Sequence, residues 1–246
     1  MFSIFKKSTP TFSADYFPIV TDIHSHILPG IDDGSPDVET SLTLIEGLMQ
    51  LGITNSIATP HIIGDLYRNN SETINRALKI LRNALAEKQI NFKVNAAAEY
   101  MLDAYFLELL QKKVPLLTLK NNIILTEFSY AERPFNTESM VFSIITEGYQ
   151  PILAHPERYA YYHNDYKQYH HLADLGFLLQ VNILSLTGYY GKAVTKAAAY
   201  IIKNNLASFI GTDLHHLRHV EALQLPANRA IFAQAFNEKL NGDMIF

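Results

Sequence analysis

The 246-residue chain carries 20 Lys and Arg against 24 Asp and Glu, a formal net charge of −4, and nearly half of its residues are apolar. A sizeable core is therefore available, no basic run resembles a nucleic-acid footprint, and the length suits one large domain, because barrel folds of roughly 250 residues form single domains. The absence of cysteine removes disulfides and thiolate zinc sites, and with neither a signal-peptide core nor an apolar stretch of about 20 residues, a cytoplasmic protein without membrane insertion is expected.

Residues 1–18, rich in Phe, read as an arm ahead of a domain spanning 19–246, free to pack on that domain or on a neighbouring subunit. A first strand is expected from Ile19 to Ile23, and a first helix after Ser35-Pro36-Asp37, with Ser35 as N-cap, Pro36 at the first helical position and Asp37 near the positive end of the dipole. Val38, Leu42, Ile45 and Leu48 then recur at helical spacing before Gly52. A strand over Thr54 to Thr59 precedes a helix after Ser71, whose apolar face is Ile74, Leu78, Leu81 and Leu85. The alternation continues with strand Phe92 to Ala98, helix Asp103 to Gln111, strand Ile123 to Thr126, helix Thr137 to Glu147, strand Pro151 to Ala154 and helix Tyr166 to Leu175. It closes with strand Phe177 to Ile183, helix Lys192 to Asn204, strand Ala207 to Thr212 and helix Glu221 to Leu240.

Several of these strands are runs of Ile, Val and Leu without clean alternation, as in parallel sheets covered on both faces. Seven strand–helix alternations predict an α/β fold, either a doubly wound open sheet or a closed (β/α) barrel. Eight potential metal ligands favour the barrel. His24 and His26, His61, Glu99, Glu127, His155, and Asp213 with His215 each stand at the end of an apolar run. An open sheet spreads its strand ends along a line, whereas a barrel gathers them around one mouth.

The two pairs, H-x-H and D-x-H, have a spacing that puts both side chains on one face of an extended segment. One such pair alone is as readily a chance feature of a loop; two, at the first and last strands, are harder to dismiss. Glu99 and Glu127 end apolar runs, where a carboxylate is costly unless it is ion-paired, hydrogen-bonded or metal-bound. His61 and His155 each adjoin a proline and singly would read as structural. Nitrogen and oxygen donors without thiolate suit manganese, iron or zinc. Eight of them exceed the needs of one ion and match two or three divalent ions, which a bridging carboxylate would hold about 3.5 to 4 Å apart.

The run D-I-H-S-H-I-L-P-G-I-D-D-G, then A-T-P-H, the A-E and T-E-F glutamates, A-H-P-E-R-Y and T-D-L-H-H together resemble the PHP (polymerase and histidinol phosphatase) superfamily, from about Asp22 to His216. Within it, they look most like the bacterial metal-dependent protein-tyrosine phosphatases associated with capsule and exopolysaccharide synthesis. The resemblance implies the PHP fold, a distorted, seven-stranded (β/α)7 TIM-like barrel, and a trinuclear site, usually supported by manganese. One ion would take His24, His26, Glu99 and Asp213; a second Glu99, Glu127 and His155; a third would draw on His61 and His215. Ile62 stands where the family often has a second histidine after A-T-P-H, which alters the rim beside the third ion.

The chemistry expected is hydrolysis of a phosphomonoester by a metal-activated hydroxide, since a metal cluster lowers the pKa of bound water towards neutrality. Arginine should hold the phosphate, because its fork matches it. Arg158, three residues after His155, is the first candidate for catalysis and substrate binding, Arg133 the second and Arg68 the third, while Asp213 is a catalytic as well as a metal-binding candidate. Asp32 and Asp33 could orient ligands, supply a proton or merely cap a turn. The resemblance implies a phosphotyrosine protein as substrate, such as a polysaccharide-assembly tyrosine kinase. A small-molecule phosphatase such as histidinol-phosphate phosphatase, or a regulatory module without catalysis, are the competing readings; an oligomer is compatible with each.

Overall fold

The computed structural model describes residues 17–236, together with 241 and 244. The proposed Phe-rich arm therefore lies outside the described residues except for Phe17 and Pro18; Phe17 is buried, its ring edge-on to Phe232 at 5.7 Å.

Strand and helix alternate along the chain, and every strand pairing is parallel. The strands are β1 (Thr21–Asp22), β2 (Asn55–Ala58), β3 (His61–Ile62), β4 (Lys93–Ala96), β5 (Glu99–Met101), β6 (Ile123–Glu127), β7 (Gln150–Ala154), β8 (Leu178–Asn182) and β9 (Ala207–Gly211). The helices are α1 (Val38–Gln50), α2 (Ser71–Glu87), α3 (Ala104–Gln111), α4 (Thr137–Thr146), α5 (Lys167–Asp174), α6 (Lys192–Lys203), α7 (Leu217–Gln224) and α8 (Pro226–Ala235). No helix among the described residues is long and apolar enough to cross a membrane.

The fold is α/β with parallel sheets, but not the single seven-stranded sheet expected from the sequence. β1, β2 and β4 form a three-stranded sheet, and β3, β5, β6, β7, β8 and β9, in that order, a six-stranded one. Short strands follow the second and third expected runs beyond their predicted ends: β3 comes after β2 past Thr59-Pro60, and β5 after β4 past Ala97-Ala98. Pro60 supplies no N–H to a ladder. The two interrupted paths nonetheless remain side by side, since Ala97 N donates to Ala58 O at 2.8 Å and Glu99 N to Pro60 O at 3.1 Å.

The first and last strand paths also meet. Asp213 N donates to His24 O at 2.8 Å, and His26 N to Leu214 O at 2.9 Å. The buried carboxylate of Asp22 accepts from Thr212 N at 3.0 Å and Thr212 Oγ1 at 2.5 Å across the same seam. His24 and His26 are thus anchored to the segment carrying Asp213 and His215, although 189 residues separate Asp213 from His24 in sequence.

Local signals explain most helix boundaries, with two corrections. The N-cap of α1 is Asp37, which accepts from Thr40 N at 2.8 Å; the expected cap, Ser35, instead donates to Asp37 O and meets Ser41 Oγ at 2.8 Å. The helix expected over Glu221 to Leu240 is two helices, because Pro226 begins a new one after Leu225, whose backbone is extended (φ −56°, ψ 127°). α2 matches its pattern: Asn70 and Thr73 form a capping box, and Ile74, Ala77, Leu78, Leu81 and Leu85 are buried at spacings of three and four. Each such leucine contributes about 1.5–3 kcal/mol on burial.

Candidate metal centre

The eight expected ligands converge on one another: His24 and His26 follow β1, His155 follows β7, Asp213 and His215 follow β9, Glu127 ends β6, and His61 and Glu99 open β3 and β5. Five of the eight, His61, Glu127, His155, Asp213 and His215, line a cavity of about 410 Å³. Parallel register does part of this work, since His61 of β3 pairs directly with Glu99 of β5, and Met101 of β5 with Glu127 of β6. Two residues sit in left-handed backbone, His155 (φ 36°) immediately after β7 and Asp213 (φ 52°) after β9. Such conformations are costly for non-glycine residues and concentrate at functional sites.

Four donor groups can be distinguished, each with its atoms within 4.8 Å of one another: His24, His26 and Asp213; His24, Glu99 and His155; His61, Glu99 and Glu127; and His26, Asp33, His61 and His215. Glu99 is common to the middle two, and its Oε2 lies 3.2 Å from His24 Nε2, 3.3 Å from His26 Nε2 and 3.3 Å from His61 Nδ1. The grouping departs from the expected division at two points. Glu127 faces His61 at 2.9 Å, while His155 meets the other oxygen of Glu99 at 3.1 Å. Asp33, which the sequence left between several roles, joins the His61–His215 group, 3.5 Å from His61 and 3.6 Å from His215.

The donors fit a bound cation. His61 Nδ1, Glu99 Oε2 and Glu127 Oε1 are buried and make no hydrogen bond, although they face one another at 2.9–3.3 Å. Unsatisfied buried imidazole and carboxylate atoms directed at a common point are costly by themselves, and a divalent ion satisfies all three at once.

The outer nitrogens of the two central histidines are fixed from behind. His24 Nδ1 meets Gln180 Oε1 at 2.7 Å and His26 Nδ1 meets Asp32 Oδ2 at 2.8 Å, so both present Nε2 to the centre. Gln180 Nε2 donates to Asn182 Oδ1 at 2.9 Å, and Asn182 Nδ2 to Asp213 Oδ2 at 2.7 Å, so one chain of side chains from β8 orients ligands on both sides of the seam. Gly34 lies against His26, where an added Cβ would come within 2.2 Å of the His26 carbonyl oxygen; only glycine fits this approach.

Charge shapes the site as strongly as geometry. Burial alone would depress His24, but the carboxylates of Glu99 and Asp213 outweigh it and bring its pKa up to about 10. His61 reaches about 10 in the same way, burial being overcome by Glu99 and Glu127. Burial and the neighbouring Glu99 charge push Glu127 up to about 7, while burial takes His155 down to about 4. Asp213 stays ionised despite burial, because His24, His215 and Arg158 surround it.

The three expected arginines separate. Arg158 lines the cavity, donates through Nη1 to Asp213 Oδ2 at 2.6 Å, and lies between the rings of Tyr130 and Tyr190, 5.0 and 4.6 Å from their centroids. Arg133 lies outside the cavity lining, donating to Gln168 Oε1 at 2.8 Å beneath the ring of Tyr162. Arg68 is also outside it, bonded to Gly64 O and set over Tyr105. Both depart from the expectation of a three-arginine phosphate site, since each is drawn away by an aromatic ring and a local acceptor.

Several site residues were absent from the sequence reading. Gln180 and Asn182 alternate in L-L-Q-V-N and so share a face; two amides in an otherwise apolar strand were the available signal. Tyr130, Tyr189, Tyr190, His216 and His219 complete the cavity rim from loops and α7, where no periodicity announces them.

Fold and site together define a parallel α/β protein whose strand ends gather a donor set suited to several cations. Residues 20–244 match the family model for capsular polysaccharide synthesis, CpsB/CapC, and the chain belongs to that family. It is 29% identical over 197 residues to the tyrosine-protein phosphatase YwqE of Bacillus subtilis, covering 80% of this chain and 78% of that protein. It is 30% identical over 204 residues to the tyrosine-protein phosphatase CpsB of Streptococcus pneumoniae, covering 80% and 83%. Among solved structures, a chain from the work on YwqE of Bacillus subtilis and CpsB of Streptococcus pneumoniae, described as unique metal-dependent tyrosine phosphatases, superposes with a TM-score of 0.75 at 26% identity, covering 89% of this chain and 96% of that one. A histidinol phosphate phosphatase from Lactococcus lactis shares the fold at 13% identity, with a TM-score of 0.53 over 89% and 95% of the two chains.

Proposed function

We propose that this protein is a metal-dependent protein-tyrosine phosphatase that hydrolyses phosphotyrosine and regulates capsule or exopolysaccharide synthesis. The observation that carries the reading is the triad of unsatisfied buried donors, His61 Nδ1, Glu99 Oε2 and Glu127 Oε1, beside a cavity lined by His61, Glu127 and Arg158. The names of the relatives point the same way.

Two or three divalent ions, manganese first and iron or zinc as alternatives, would be held among the overlapping groups His24, His26 and Asp213; His24, Glu99 and His155; His61, Glu99 and Glu127; and His26, Asp33, His61 and His215. When bound, such ions lower the pKa of water and neutralise charge on the phosphoryl oxygens. Arg158 would hold the phosphate, with Asp213 keeping the guanidinium at the cavity wall. Gln180 and Asp32 would keep His24 and His26 in the tautomer that presents Nε2 inward. Tyrosinate is a good leaving group, with a pKa of about 10, so the site needs no strong general acid. With no cysteine in the chain, its own residues offer no route through a cysteinyl phosphate.

We read the two sheets as arcs of one distorted (β/α)7 barrel within a single domain from residue 19 to 246; the seam bonds of Asp213 and His26 support this. The substrate would be a tyrosine-phosphorylated protein of the cytoplasm, such as a polysaccharide-assembly kinase.

The test is phosphate release by metal-free protein with each divalent ion restored, on a phosphotyrosyl peptide, a phosphoseryl peptide and histidinol phosphate. The expected result is metal-dependent release that is fastest from the phosphotyrosyl peptide. Preference for histidinol phosphate would overturn the substrate assignment, and no release with any ion would overturn the activity.

A further inference from the structure

Among the cavity-lining side chains, Tyr190 combines contact with Arg158 and an unpartnered hydroxyl. Tyr190 follows the 3-10 turn Ile183–Thr187 and packs its ring 4.6 Å from the Arg158 guanidinium, which also lies 5.0 Å from the ring of Tyr130. The two rings differ at their hydroxyls. Tyr130 Oη lies 3.3 Å from His155 Nδ1, whereas Tyr190 Oη is buried with no hydrogen-bond partner. Buried phenol hydroxyls almost always find an acceptor. Tyr190 lines the cavity together with Arg158 and Asp213, so the missing acceptor is to be sought in the ligand.

From this, and resting on the phosphatase reading above, we infer that Tyr190 is a substrate-binding residue, whose hydroxyl donates a hydrogen bond to a phosphoryl oxygen while its ring holds Arg158 in place. The chemistry is matched. A phosphoryl group offers several acceptor oxygens; Arg158 spends one N–H on Asp213 and retains others. A neutral donor beside the guanidinium adds a contact without adding a charge that would repel cations in the same cavity. Stacking on two rings limits the guanidinium's freedom, so less freedom is lost when phosphate arrives. The specificity that follows is for a dianionic phosphate ester over a carboxylate or carboxamide of similar size, which offers fewer acceptors to the pair.

The test separates hydroxyl from ring. In Tyr190→Phe the ring over Arg158 is retained and only the donor is lost; Tyr190→Leu loses both. Inorganic phosphate is titrated calorimetrically into metal-loaded wild type and both variants, and KM and kcat are measured with p-nitrophenyl phosphate. A hydrogen bond to a charged acceptor corresponds to about a tenfold change in affinity. Tyr190→Phe should therefore weaken phosphate binding about tenfold and raise KM more than it lowers kcat, and Tyr190→Leu should weaken binding further. Equal phosphate affinity in wild type and Tyr190→Phe would overturn the assignment, as would a wild type that binds no phosphate. If wild type binds phosphate through Tyr190 but releases none from any ester, this inference stands and the phosphatase reading fails.

Discussion

The floor and the rim of the cavity are built on different physical terms. On the floor, His24, His26 and Glu99 are fully buried, held by register, by the β1–β9 seam and by Gln180 and Asp32 behind them. At the rim, Arg158 is 25% exposed and Asp33 52%, and the positioning forces are ring stacking and single hydrogen bonds from loops. The floor is buried and strongly charged; the rim is more exposed. This division suits a site that must hold its ions permanently and exchange its phosphate substrate repeatedly.

Breaking the floor should have the largest effect. Asp213→Ala removes a donor facing His24 at 3.3 Å and also the partner of Arg158. Activity should fall by about a thousandfold, measured as kcat/KM, with the far-ultraviolet circular dichroism spectrum retained. An active Asp213 variant would remove the floor from the mechanism. Gly34→Ala comes next, since its methyl would collide with His26. It should cost about 1–3 kcal/mol in thermal unfolding and lower metal content, and a variant with wild-type melting and metal content would refute the close approach. Gln180→Leu leaves every proposed ligand in place but releases His24 Nδ1. A loss of about 10–100-fold in metal affinity is expected, read by competition with a chelator.

A pH series sharpens the same comparison. In the metal-free protein His24 and His61 are raised to about 10, above their unfolded value. Their protonated forms therefore stabilise the metal-free fold fully below about pH 6.5, and that contribution is lost as pH rises through about 10. Cations must displace these protons, so adding manganese should raise the melting temperature more at about pH 9 than at about pH 6. Equal shifts at the two values would contradict the charged floor. At the rim, Arg158→Lys keeps the charge but loses the planar fork and the stacking. It should have the smallest effect, about a tenfold rise in KM, with metal content unchanged.

The floor was also the part legible in the sequence. Each of its ligands ends an apolar run, so the run fixes the strand and the strand fixes where the ligand emerges. Parallel alternation implied the α/β class for the same reason. The short strands β3 and β5 were not legible, because each spans only two or three residues beyond the end of an apolar run. Nor was the end of the last helical run, where Pro226 restarts a helix that composition alone would continue. The rim escaped for a different reason. Tyr130 and Tyr190 come from loops without periodicity, and their meaning lies in packing on one arginine. Arg133 and Arg68 show the converse error, since proximity in sequence to a ligand did not put them at the cavity.

The central claim is that the strand ends form a place for several cations. A crystal grown with manganese and measured at its absorption edge tests this directly. The account predicts two or three anomalous peaks, each bonded to members of the set His24, His26, Asp33, His61, Glu99, Glu127, His155, Asp213 and His215. Histidines and carboxylates paired only with one another, with no peak between them, would contradict it.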